Sequence, residues 1–189
     1  FPLAGTRPRG SCSQDDKRLE EELLLDEKEL SEHDMLVDLA RNDIGKISKF
    51  GTVNVDEYRS IKRFSHVMHI ASKVTGQIAN DKNALDALTA TFPAGTLSGA
   101  PKKRACEIID ELETFRRGPY GGAIGYIDFA GSQNVCIAIR MAVKKGNEIT
   151  VQAGAGIVAD SVPAMEYQEI KNKARAVMET LTCEGGKLS

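Results

Sequence analysis

Two Glu-x-x-Glu pairs stand out among the titratable residues, Glu29/Glu32 and Glu166/Glu169. Both lie in stretches of helical periodicity. At about 100° per residue, Ile170, Ala174, Val177 and Leu181 form one apolar stripe, and Glu166, Glu169 and Lys173 run along its edge. Gln168, Lys171, Asn172, Arg175 and Glu179 take the opposite, solvated face. In the earlier stretch Leu36, Leu39 and Ala40 define a stripe, with Met35 and Val37 at its margins, and Glu29 and Glu32 project onto its middle one or two turns before. A carboxylate aimed at a core needs a cation or several donors, because burying it bare is costly. Local explanations compete. Glu169 can reach Lys173 at i,i+4 as a rim salt bridge, and Asp26-x-x-Glu29 fits a capping box. Glu32 has neither. Oxygen donors with no partnering His or Cys point to Mg²⁺ rather than zinc.

Other residues add to this chemistry. Arg140 sits in the apolar run VCIAIRMAV, on one face with Cys136 and Ala138, where a guanidinium calls for a carboxylate, structural or from a ligand. Gly154 and Gly156 let backbone N–H groups approach an anion closely. Gly154-x-Gly156-x-x-Ala159 imitates a dinucleotide fingerprint, but Asp160-Ser161-Val162-Pro163 delays the helix and no second parallel strand follows. The loop FPAGTLSGAP, residues 92–101, lacks the Gly-Lys-Ser/Thr of a Walker A loop, though a helix start beside such a loop suits an anion. His66 and His69 are three apart, on opposite faces of a strand, which argues against a two-His chelate. Taken alone, His69 reads more simply as a structural histidine than as a catalyst. Together these residues describe a site for a small polyanionic molecule held partly through a metal.

The elements that must position them follow from periodicity and punctuation. Residues 1–10 are strand-like with a turn at Thr6 to Gly10, and residues 11–17 are polar and expected to be mobile. A helical region holds Leu19, Leu23 and Leu24; a second helix starts at Asp26, runs to about Asp43 and stops at Gly45. Strands are expected at 52–55 and 66–78, the latter with Met68, Ile70, Val74 and Ile78 on one face and Val67, His69, Ala71 and Thr75 on the other. A short helix covers 83–90. After the 92–101 loop comes a helix with Ser98 near its cap and Ile108, Ile109 and Leu112 inward. Three runs, 123–129, 135–143 and 149–153, have links short enough for antiparallel hairpins. Asp160 or Ser161 is expected to cap the final helix, with Pro163 in its first turn.

The 189 residues are 41% apolar, enough for a real core, and carry a net charge of −2 with interleaved signs and no basic stripe, which argues against nucleic acid. No apolar run has membrane-spanning length. Cys12, Cys106, Cys136 and Cys183 are scattered, as suits a reduced cytoplasmic protein better than a disulfide framework. The chain has no initiator Met and opens on Phe1-Pro2-Leu3-Ala4, which predicts that an N-terminal part of the protein is absent.

Seven segments carry a resemblance: PLAGTRPRG (2–10), ELSEHDMLVDLARND (29–43), SHVMHIASKVTG (65–76), FPAGTLSGAPKKRACEIIDELE (92–113), RGPYGGAIGY (117–126), CIAIR (136–140) and QAGAGIVADSVPAMEYQEIKNKA (152–174). In order and over nearly the whole chain, they resemble the C-terminal portion of the chorismate-utilising enzymes, with the anthranilate synthases as the nearest branch. The resemblance implies an α+β fold, a two-sheet sandwich of mostly antiparallel strands with outer helices, of which residues 1–189 would be the C-terminal part of one chorismate-binding catalytic domain. It implies that Glu32 and Glu169 bind Mg²⁺ with Glu29 and Glu166 in support, and that the metal takes the ring carboxylate of chorismate. Tyr120 and Arg140 would hold the enolpyruvyl carboxylate with the backbone of Gly154, Ala155 and Gly156. Thr96, Lys173, Gly5 and Thr6 would line the pocket, Thr96 among the catalytic residues beside His69. His69 would assist proton handling as the ring aromatises.

The implied reaction is amination of chorismate at C2 with loss of the C4 hydroxyl, then elimination of pyruvate to give anthranilate, a step of tryptophan biosynthesis. Ammonia would come from a glutamine amidotransferase subunit, component II, in a cytoplasmic hetero-oligomer. The acid that protonates the leaving hydroxyl and the tryptophan feedback site belong upstream in the family, so the chain alone is expected to be inactive. Ala4 argues against aminodeoxychorismate synthase, whose members often carry a nucleophilic Lys there. Isochorismate and salicylate synthases, which use water, remain alternatives, as does a non-catalytic binding or assembly role.

Overall fold

The computed structural model describes residues 1–159 and 161–183. Its contacts divide the chain into two compact units, Phe1–Thr91 and Phe92–Ser189. The first unit holds β1 (Leu3–Pro8), α1 (Ser13–Leu25), α2 (Glu27–Gly45), β2 (Asn54–Arg63), β3 (Val67–Thr75) and α3 (Ala84–Thr91). Its sheet has the order β1-β3-β2, antiparallel throughout. β3 is central because it is the most continuously apolar strand, and Met68 and Ile70 point from it, fully buried, onto Leu23 of α1. Leu19, Leu30 and Ile61 close this core.

Residues 11–17 lead straight into a helix. α1 starts at Ser13 because Asp16 turns back to Arg9 and to the Gly10 N–H (2.7 Å), which ties the polar run to β1. Asp26 caps α2, its Oδ1 accepting from the Glu29 N–H at 3.2 Å, but only half of the capping box forms, since the Asp26 N–H goes to the Leu23 carbonyl. α2 buries His33, Leu36, Val37 and Asp43, so its inner stripe is turned toward His33 and Val37, and Leu39 and Ala40 are only half-buried. Glu29 is half-buried, whereas Glu32 is exposed and does not sit mid-stripe. Asn83 caps α3 through Oδ1 to the Leu85 N–H at 2.8 Å, and Asp86 reciprocates to the Asn83 N–H at 2.9 Å.

The second unit holds α4 (Gly95–Ser98), α5 (Lys102–Leu112), β4 (Ala123–Ile127), β5 (Gln133–Ile137), β6 (Ala142–Lys145), β7 (Glu148–Val151) and α6 (Pro163–Cys183). β4–β5 and β6–β7 are two antiparallel hairpins. Ser98 does not cap a helix: it ends α4, and α5 starts after Pro101. Ile109 is half-buried, but Ile108 and Leu112 are exposed. The run 135–143 is not one strand. Ala138 bonds to the 121–122 loop on both sides, Gly121 N–H to its carbonyl at 2.9 Å and its N–H to the Gly122 carbonyl at 2.8 Å, and Arg140 then adopts φ 53. On α6 the half-buried positions are Glu166, Ile170, Lys173, Ala174, Val177 and Leu181, with Pro163 opening the helix; Glu169, expected on the edge of this stripe, is instead exposed. Ser161 does not cap it; its hydroxyl accepts from the Val158 N–H at 3.0 Å. Asp160 lies outside the described residues, as does the Cys183 side chain. The expected α+β class with antiparallel pairing holds for every named strand pair.

Candidate functional site

The first unit brings Gly5, Thr6, His69 and Glu29 together. β1 carries a register shift between Ala4 and Thr6, and Gly5 there has φ 70. A Cβ on Gly5 would meet Leu23 Cδ1 at 3.0 Å, Ile70 Cδ1 at 3.2 Å and Glu29 Oε2 at 3.3 Å. Backbone, core and carboxylate therefore converge on a point only glycine leaves open. His69 Nδ1 lies 2.8 Å from the Gly5 carbonyl and 3.1 Å from Thr6 Oγ1. A carbonyl only accepts, so Nδ1 carries a proton and donates it there. The Phe64 ring stands edge-on to the imidazole at 5.7 Å.

Glu29 is the perturbed acid of this group. Burial pushes its carboxyl up, and Asp26 and Glu32 push the same way, against Arg7 at 3.8 Å. Arg7 is mainly engaged by Asp26 at 2.8 Å. Negative charge is thus left under-compensated around Glu29, which is the electrostatic condition a divalent cation relieves. The sequence reading passed over His33, which is fully buried on α2 with Nε2 2.7 Å from Ser72 Oγ. Burial lowers its affinity for a proton.

The second unit assembles Tyr120, Gly154, Lys173 and Glu169. Lys173 Nζ donates to the Gly154 carbonyl at 3.1 Å and pairs with Glu169, so the expected i,i+4 bridge forms and Glu169 has a local partner. Tyr120 Oη would lie 3.2 Å from a Cβ at Gly154, so the phenol stands against the glycine backbone. Burial pushes that phenol up, while Arg117 and Arg140 pull it down. Arg117 stacks its guanidinium 6.0 Å from the Tyr120 ring centre and bonds both Glu113 and the Leu97 carbonyl, the latter at 3.0 Å. It thereby links the tyrosine loop to α4, on which Thr96 is exposed. Ala155 is half-buried and Gly156 exposed. Arg140 is exposed in the turn between the hairpins, not on a strand face with Cys136. Glu166 lines an open recess of about 320 Å³ with Ile157, Val158, Pro163, Tyr167 and Ile170.

Among the described residues, no three His, Cys, Asp or Glu side chains are grouped closely enough to hold a metal ion. Glu29, Glu32, Glu166 and Glu169, taken singly, are oxygen donors, the type that suits Mg²⁺. In the second unit the Tyr120 hydroxyl and the Lys173 ammonium both meet the Gly154 backbone, and such groups are the partners of a carboxylate.

A family model described as chorismate binding enzyme matches residues 1–179. Among curated proteins, anthranilate synthase component 1 of Acetivibrio thermocellus is 59% identical over 187 residues, covering 99% of this chain and 38% of that protein. Its counterpart in Aquifex aeolicus is 59% identical over 180 residues, 95% of this chain and 36% of its own. Among solved structures, anthranilate synthase component I from Streptococcus pneumoniae superposes with TM-score 0.85 at 49% identity, over 93% of this chain and 41% of that one. The menaquinone-specific isochorismate synthase of Escherichia coli superposes with TM-score 0.86 at 28% identity, over 96% and 41%. The chain therefore spans about two fifths of the length of the proteins it resembles.

Proposed function

This chain belongs to the family of chorismate-binding enzymes, and from that membership we propose that it acts within an anthranilate synthase, converting chorismate and ammonia to anthranilate, pyruvate and water. The observation that carries the reading is 59% identity to anthranilate synthase component 1 along 99% of the chain. The lower identity, 28%, to an isochorismate synthase of the same fold favours ammonia over water as the nucleophile.

Glu29, Glu32, Glu166 and Glu169 are the proposed oxygen donors to Mg²⁺. When bound, the ion supplies charge neutralisation and a fixed grip on the ring carboxylate. Tyr120, Arg140 and the Gly154–Gly156 backbone take the enolpyruvyl carboxylate, and Lys173, held on the Gly154 carbonyl, stiffens that loop. Thr96, Gly5 and Thr6 line the substrate. His69, its Nδ1 proton held by the Gly5 carbonyl, presents Nε2 to accept a proton as the ring aromatises. A glutamine amidotransferase subunit is the proposed ammonia source. The free thiols of Cys12, Cys106 and Cys136 support a cytoplasmic location.

The test is a complete synthase carrying this segment, supplied with chorismate, Mg²⁺ and ammonium. Anthranilate fluorescence is expected, and isochorismate or aminodeoxychorismate as the sole product would overturn the reading. In the same assay Arg140→Lys is expected to raise KM for chorismate roughly tenfold, because the two-pronged fork becomes a point charge. Unchanged KM and kcat would remove Arg140 from the anchor.

A further inference from the structure

His33 lies one residue after Glu32 and one helical turn after Glu29, fully buried between α2 and the sheet. Ser72 Oγ on β3, 2.7 Å from its Nε2, also accepts the Arg59 backbone N–H at 3.0 Å. That N–H belongs to the irregular stretch of β2 between Glu57 and Ser60, where Arg59 is held at φ 52. The Arg59 guanidinium then returns to Asp34 of α2, through Nε at 3.1 Å and Nη2 at 2.5 Å, and Tyr58 donates to the same carboxylate at 2.7 Å. A closed polar circuit runs from α2 to β3 to β2 and back, and the His33–Ser72 contact is its buried link.

His33 Nδ1 is buried and has no hydrogen-bond partner among the described residues. An aliphatic side chain would fill the position without that penalty, so what the imidazole adds is direction. Apolar neighbours such as Leu36 and Val37 resist separation of the helix from the sheet but tolerate small rotations. A hydrogen bond does not, because it weakens steeply with angle. Turning α2 by about 10° moves a carboxylate ~1 Å at the ~6 Å radius of a helix with side chains, and a misplacement of that size degrades a ligand site.

We infer that His33 is a positioning residue: through Ser72 and Arg59 it sets the rotation of α2 on the sheet and so aims Glu29 and Glu32. β3 also carries His69, so one bond fixes the acids relative to the imidazole at Gly5. The inference rests on the proposed role of those carboxylates toward Mg²⁺.

Calorimetric titration of Mg²⁺ into a complete synthase carrying this segment, without substrate and alongside Tm, tests it. Glu32→Gln serves as the reference variant and is expected to abolish binding. His33→Leu and Ser72→Ala are expected to weaken Mg²⁺ affinity about tenfold, and His33→Gln, whose amide reaches Ser72, to stay within about threefold of wild type. If Glu32→Gln binds Mg²⁺ normally, the metal reading fails and this inference fails with it. If Glu32→Gln loses binding while His33→Leu and Ser72→Ala keep wild-type affinity, positioning is overturned even if Tm falls, and His33 only packs. Should His33→Leu not fold, Ser72→Ala alone decides by the same criterion.

Discussion

Asp16 and Glu29 both approach residues of the β1 region, and their carboxyls are shifted in opposite directions. Asp16 accepts from Arg9 Nε and Nη2 and from the Gly10 N–H, and these partners hold it at about 2. An unfolded aspartate titrates near ~3.9, so this contribution to stability is complete above that value and is lost as the pH falls toward 2. Asp16→Asn should flatten the acid limb of an unfolding-versus-pH curve, and an unaltered limb would contradict the assignment. Glu29 is raised instead, by burial and by Asp26 and Glu32. Its contribution is present at low pH and lost as the pH rises through its folded value. Glu29→Gln in the divalent-free chain should therefore raise Tm at pH 7 and leave it unchanged in acid; a fall in Tm at pH 7 would show the charge to be satisfied. The sequence made the Glu169–Lys173 pair legible, because i,i+4 spacing alone brings them together. His33 was illegible, since a histidine flanked by Glu32 and Asp34 reads as surface until β3 supplies Ser72.

Helix ends and one bulge decide how the elements are set. Asp26→Ala removes the α2 cap and the Arg7 partner, and should cost about 1 kcal/mol, read as a lower urea midpoint at constant slope. Gly5→Ala should cost about 1–3 kcal/mol, because its φ of 70 disfavours a side chain and the added Cβ meets Leu23 and Ile70. Wild-type stability for Gly5→Ala would mean that β1 can relax. Periodicity found α2, β3 and α6 because each has a one-sided apolar pattern. It missed the start of α1, whose first turn is polar and is held by Arg9 from outside the helix. It also ran β5 through Arg140, because an apolar run carries no trace of the Gly121 and Gly122 backbone that diverts it.

At the scale of the whole molecule, the units have unlike cores. Leu23, Met68 and Ile70 give Phe1–Thr91 a fully buried centre, so Leu23→Ala is expected to cost about 2–5 kcal/mol and to lower the midpoint of this unit's unfolding. A shift confined to signals from the second unit would contradict that placement. The hairpins of the second unit were legible because hairpin-length links join its apolar runs, whereas the α+β class came from the family resemblance. The Lys173 contact with the Gly154 carbonyl joins two residues the sequence reading singles out, since residue types and helix faces survive small errors in element ends. Which acids lie inward was not legible, because Glu32 is exposed where the stripe predicts burial. The central claim is the proposal that Glu32 and Glu169 are each required for Mg²⁺-dependent binding of chorismate. Its most direct test is Mg²⁺ affinity measured by calorimetry in a complete synthase carrying this segment, in the presence of chorismate, for wild type, Glu32→Ala and Glu169→Ala. The account predicts that either substitution lowers the affinity at least tenfold; wild-type affinity in Glu169→Ala would contradict it.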